Sequence, residues 1–138
     1  MVRALSNRRP QRSPVGLAWA GTHETTVAYF GEHASSGVAW HLFLDRLRRS
    51  ERPLVIQLDE RTALDETQRR ELAEAVGPTS RVAVIAASAR ARALSTGLRW
   101  LGVEAEFFRI NHVLDVARYL GIDRRKLAAA LNGLDAAA

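Results

Sequence analysis

Three short apolar runs, Thr26-Val27-Ala28-Tyr29-Phe30, Leu54-Val55-Ile56-Gln57-Leu58 and Val82-Ala83-Val84-Ile85-Ala86, are each followed by a stretch with helical periodicity. Runs this short, without charge and bounded by turn residues, read as strands buried on both faces. Alternation of such strands with amphipathic helices argues for a mostly parallel sheet covered by helices, which makes the chain α/β. A sheet of that kind carries its functional turns at the carboxyl ends of its strands. The expected architecture is a mixed, mostly parallel sheet of about five strands with an N-terminal hairpin and an extra C-terminal helix.

The hairpin comes from residues 15–20 and 25–30, which flank the turn-like Gly21-Thr22-His23-Glu24. Ser35 or Ser36 is expected to cap a helix reaching about Arg49, with Trp40, Phe43, Leu44 and Leu47 on one face. Thr62-Ala63-Leu64-Asp65 has the spacing of a capping box for a helix that Gly77-Pro78 stops. After the third run, Ser88 is expected to cap a helix with Ala93, Leu94, Gly97, Leu98 and Leu101 as its inner stripe. Gly97 there suggests close approach of helix to sheet. Glu104 to Phe108 reads as an edge strand, and Asn111 as the cap of a helix ended by Gly121. Asp123 is expected to cap a last helix, with Ile122 and Leu127 as a hydrophobic staple and Asn132-Gly133 fraying its end.

The 138 residues divide into a flexible basic tail (1–14), one domain (15–121) and a C-terminal helix with a frayed end (122–138). Net charge is +5, and Arg3, Arg8, Arg9 and Arg12 supply four of those charges from the tail, which holds no acid. The remainder is near neutral, so nucleic acid is not the expected partner. Without cysteine, disulfides, thiolate metal sites and cysteine nucleophiles are excluded. No apolar run is long enough to span a bilayer and no hydrophobic signal core is present, so a cytoplasmic protein without membrane insertion is expected. His23, His33, His41 and His112 lack zinc-ligand spacing, and no nucleophile elbow, P-loop or dinucleotide fingerprint occurs. No catalytic residue, metal or cofactor is therefore assigned.

The order of elements resembles the STAS domain, the family of bacterial anti-anti-sigma factors and their relatives. The resemblance covers about residues 15 to 120. Its motifs here are Phe30-Gly31-Glu32, the small-residue entry Ala34-Ser35-Ser36, the leucine-rich Leu42 to Leu47, and the apolar strand Leu54 to Leu58 followed by Asp59. Arg81 to Ile85 with Ser88 to Arg92, and Phe107-Phe108 with Val113 to Leu120, resemble the family's later elements. In that family a partner kinase phosphorylates a serine in an Asp-Ser-Ser-Gly turn. The nearest match here is Asp65-Glu66-Thr67-Gln68, with glutamate at the phosphorylated position. The resemblance implies a non-enzymatic protein-binding regulator in transcription signalling, with Asp59, Asp65, Glu66 and Thr67 as its partner-binding site. The implied partner is an anti-sigma-type kinase or a multi-protein signalling assembly. Glu66 would then be a fixed negative charge and Thr67 a displaced phosphosite, while both also suit the first turn of a helix through its dipole.

Two alternatives stand beside this reading. A STAS-like branch related to lipid carriers also lacks the serine turn, and its resemblance implies an apolar-ligand cleft lined by Trp40, Phe43, Trp100, Phe107 and Phe108. Asp59, Glu60 and Asp65 at a strand's carboxyl end also suit Mg²⁺ in a receiver-like or phosphoryl-transfer site, although no later lysine completes it.

Overall fold

The computed structural model describes residues 11–12, 16–33, 37–78 and 80–137. Six strands form one sheet in chain order: β1 (Gln11–Arg12), β2 (Leu17–Gly21), β3 (Thr26–Phe30), β4 (Leu54–Leu58), β5 (Arg81–Ala86) and β6 (Glu104–Arg109). The first three pair antiparallel and β3 to β6 pair parallel. The protein is thus α/β with a mixed, mostly parallel sheet opened by a hairpin. One departure lies in the stretch read as a tail, where Gln11 and Arg12 pair with Trp19 and Ala18. Residues 1–10 and 13–15 lie outside the described residues, as do Ser35 and Ser36 with the cap assigned to them.

Parallel neighbours consecutive in sequence need crossovers, and crossovers of one hand moving in one direction deliver every connecting helix to the same face. Accordingly α1 (Gly37–Arg48), α2 (Glu66–Val76) and α3 (Arg92–Trp100) pack on the face formed by Trp19, Ala28, Phe30, Leu54, Ile56, Val82 and Val84. The last two helices, α4 (Val113–Leu120) and α5 (Arg124–Ala137), follow β6 and cover the opposite face over Ala18, Val27, Val55, Ala83 and Ile85. Successive residues of each strand enter opposite cores, which is why the strands read as unbroken apolar runs.

The first core is aromatic. Phe30 and Phe43 meet edge to face with centroids 5.6 Å apart, and Trp19 and Trp40 pack on the same rings. At the end of β3 the Gly31 amide donates to the Gly16 carbonyl at 2.6 Å. A Cβ on Gly31 would lie 2.9 Å from that oxygen, so only glycine permits the approach. Among the described residues no helix is long and apolar enough to cross a membrane.

Four local expectations are corrected. The cap of α2 is Asp65, not Thr62. The Thr62 hydroxyl instead donates to the carbonyls of Phe30 (2.6 Å) and Gly31 (3.1 Å), tying the loop to the end of β3. His112, not Asn111, occupies the cap position of α4, without a side-chain hydrogen bond. Helix α5 runs through Asn132-Gly133 to Ala137, because Leu131 and Leu134 on either side are buried and hold that turn on the sheet. The inner stripe of α3 is Leu94, Ser95 and Leu98, while Ala93 and Leu101 face out.

Candidate functional site

The four regulatory candidates follow β4, and they do different things. The Asp59 carboxylate accepts from the Tyr29 hydroxyl at 3.2 Å and from the Arg61 amide at 2.9 Å, which makes it part of the turn's framework. Asp65 accepts from the Gln68 amide at 2.8 Å while the Gln68 side chain accepts from the Asp65 amide at 2.8 Å, a complete capping box. Glu66 forms an exposed ion pair with Arg70 at 3.0 Å, one helical turn on. Thr67 is exposed beside it. Asp65 is committed to the backbone, and Glu66 is the member of the set that lines the larger of two concave surfaces.

That surface is a groove of ≈ 740 Å³ between α2 and α3, open at the carboxyl ends of the parallel strands. Leu58, Leu64 and Leu94 form its floor, Glu66, Arg69 and Arg70 its α2 wall, and Ala93, Gly97, Trp100 and Leu101 its α3 wall. Small residues hold the groove open: Ala93 and Gly97 sit one helical turn apart and present almost nothing to α2. Arg69 fills part of the gap. Its guanidinium donates to the Leu64 carbonyl at 2.5 Å, and its Cδ would lie 3.3 Å from a Cβ added at Gly97. The close approach read from Gly97 is therefore to Arg69 of a neighbouring helix, not to the sheet. Trp100 stands at the lower end of the groove, 87% exposed.

A smaller polar recess of ≈ 120 Å³ lies beside it, between the ends of β4 and β5, with Asp59, Glu60, Thr62, Ser88 and Arg90 in its lining. Arg90 lies in the wall common to both. Among the described residues no group of three or more His, Asp or Glu converges in a way that would hold a metal ion. Asp59, Glu60 and Asp65, the acidic set considered for Mg²⁺, do not form one.

The five aromatics considered for a ligand cleft are not brought together either. Trp40 (1% exposed) and Phe43 (0%) are interior to the first core. Phe107 is partly buried on that same face under the Arg92 guanidinium, 5.3 Å from the ring centroid. Phe108 lies on the opposite face, 5.5 Å from the ring of Tyr119. Only Trp100 lines the groove. Burial of Tyr119, reinforced by Glu104 and Glu106, pushes its phenol above the ordinary value, as expected of a ring serving packing.

The groove was not read from the sequence, although a signal was present. Ala93, Leu94, Gly97, Leu98 and Trp100, with Leu101 at the C-cap, spread apolar or small residues over more than one face of a nine-residue helix. A helix that covers a sheet with one stripe and carries a second leaves the second for something else. Arg69, Arg70 and Arg90 rim that second stripe. No protein-family profile matches this chain, and none of the curated proteins or solved structures matches it.

Proposed function

We propose that the protein is a non-enzymatic cytoplasmic regulator that works by binding another protein, in the manner of an anti-sigma factor antagonist, through the α2–α3 groove. The observation that carries this reading is an apolar groove left open to water with a tryptophan standing in it. A tryptophan side chain buries roughly 150–250 Å², so leaving Trp100 in solvent forgoes about 4–6 kcal/mol of gross burial energy. A partner that covers it recovers that energy, less the entropy of association. Exposed aromatics with arginines around them are the composition of interface hot spots.

The place also suits the resemblance to the STAS family, whose partners meet the domain around the turn that opens the corresponding helix. Here Glu66, paired with Arg70, stands at the upper end of the groove, next to Thr67. Expression of the tagged full chain in the cells that produce it naturally tests the reading. One partner is expected in near-stoichiometric yield, lost with Trp100→Glu and retained with Leu42→Glu on the exposed side of α1. Equal recovery with both variants, or a turnover of small substrate indifferent to the groove, contradicts the proposal.

A further inference from the structure

The walls of the groove are not electrically neutral. Three arginines, Arg69, Arg70 and Arg90, line it against one acid, Glu66. Glu66 is already engaged by Arg70 at 3.0 Å. Arg69 donates to a neutral carbonyl and forms no ion pair among the described residues. The guanidinium of Arg90 has no acceptor among the described residues, although its backbone amide donates to the Ser88 hydroxyl. An occupant of this groove therefore meets a net excess of two positive charges above an apolar floor.

We infer that the occupant is an amphipathic helix of a partner protein, carrying apolar residues one and two turns apart and acidic residues along its flank. The inference rests on the partner-binding reading and supplies the partner's chemistry. Shape supports it first. Along α3, Ala93 to Leu101 spans about 12 Å at 1.5 Å per residue, the length over which a helix presents positions i, i+4 and i+7. Ala93, small and exposed in the wall, permits the close interaxial approach of a third helix. Openness supports it next. An acyl chain laid against Trp100 would leave much of its own surface wet, whereas an amphipathic helix brings its own polar cover. Charge completes the argument, because arginine forks bind carboxylates in pairs of parallel hydrogen bonds and Arg90 stands ready to do so.

The test is selection of random 16-residue peptides on the immobilised full chain, with the Ala93→Phe chain as counter-selection. Ala93 is exposed on α3, so this variant fills the groove without entering the core, and an unchanged melting curve checks it. The selected peptides are expected to be net acidic, with apolar residues spaced i, i+4, i+7. Trp19 and Trp40 are buried at 8% and 1% exposed, so a blue shift of emission on adding a synthetic selected peptide reports on Trp100. Arg90→Glu is expected to weaken binding at least tenfold, and added salt to weaken it progressively. Glu66→Gln, which releases Arg70, is expected to strengthen it severalfold. Basic or extended peptides, no enrichment over the counter-selection, or dodecanoate shifting Trp100 where the peptides do not would each overturn the inference. Should a native partner be lost with Ala93→Phe while the selected peptides are basic or extended, docking in the groove stands and the acidic helix falls.

Discussion

Helix α2 has two neighbours on the same face of the sheet and meets them in opposite ways. Against α1 the seam is closed. Trp40 is buried there with its indole nitrogen donating to Glu71 at 3.1 Å, and Arg48 spans outside it from Asp45 to Glu74 at 3.0 and 3.1 Å. Those acids hold the exposed Arg48 guanidinium above its ordinary value. Against α3 the facing residues are Arg69, Ala93 and Gly97, and the one large aromatic on that side is left in water. Both seams lie over neighbouring parallel strands joined by the same kind of crossover, so side-chain volume decides which closes. Stability is concentrated in the first seam and the capacity to bind in the second.

The two tryptophans sharpen this contrast most. Trp40→Ala should lose about 3–5 kcal/mol, since it opens a cavity in the aromatic core and strips Glu71 of its donor. Trp100→Ala should stay within about 0.5 kcal/mol, as a surface change does. Denaturant midpoints of the two variants measure the difference, and comparable losses would dissolve the distinction between the seams. At the N-terminus of α2, Asp65→Ala should cost about 1 kcal/mol by removing the carboxylate that accepts from the Gln68 amide.

A smaller effect of opposite sign is expected at Gly97. Alanine there favours the helix by up to about 1 kcal/mol, and the methyl needs only the flexible Arg69 side chain to give way by a few tenths of an ångström. Gly97→Ala should therefore raise the melting temperature slightly while weakening the native partner's binding. A fall in both would mean that the glycine serves packing. The smallest effect lies on the far face, where Asp123 caps α5 by accepting from the amides of Arg125 (2.8 Å) and Lys126 (3.3 Å). Those bonds hold its carboxyl below the ordinary value of 3.8. Because the folded value is depressed, the contribution is present above about that pH and is lost as pH falls through the folded value. Melting should thus weaken slightly on acidification below pH 4 in the native chain, and less so in Asp123→Asn, which caps without titrating.

The same contrast decides what could be read in the sequence. The strands were legible because burial on both faces leaves unbroken apolar runs, and the α1 stripe of Trp40, Phe43, Leu44 and Leu47 because burial on one face leaves a periodic trace. Ile122 and Leu127, read as a staple, both join the second core. The stripe of α3 was misread because Ser95 is polar, yet it is buried beside Leu94 and Leu98 with its hydroxyl donating to the Arg92 carbonyl at 2.8 Å, while Ala93 and Leu101 are exposed. Thr62 was read as the cap of α2, but its hydroxyl is taken by the Phe30 and Gly31 carbonyls at the end of β3, and Asp65 caps the helix. A groove, in turn, is a property of two helices together, and the second stripe of α3 does not by itself say which neighbour leaves it open.

The central claim is that a partner docks between α2 and α3, and a photoreactive side chain at position 93 tests it most directly. The full chain would carry that group in the cells that produce it, with the same group at position 42 on the exposed side of α1 for comparison. The account expects one discrete cross-linked species from position 93, absent from position 42 and suppressed by Arg90→Glu. No species from position 93, or the same species from both positions, would contradict it.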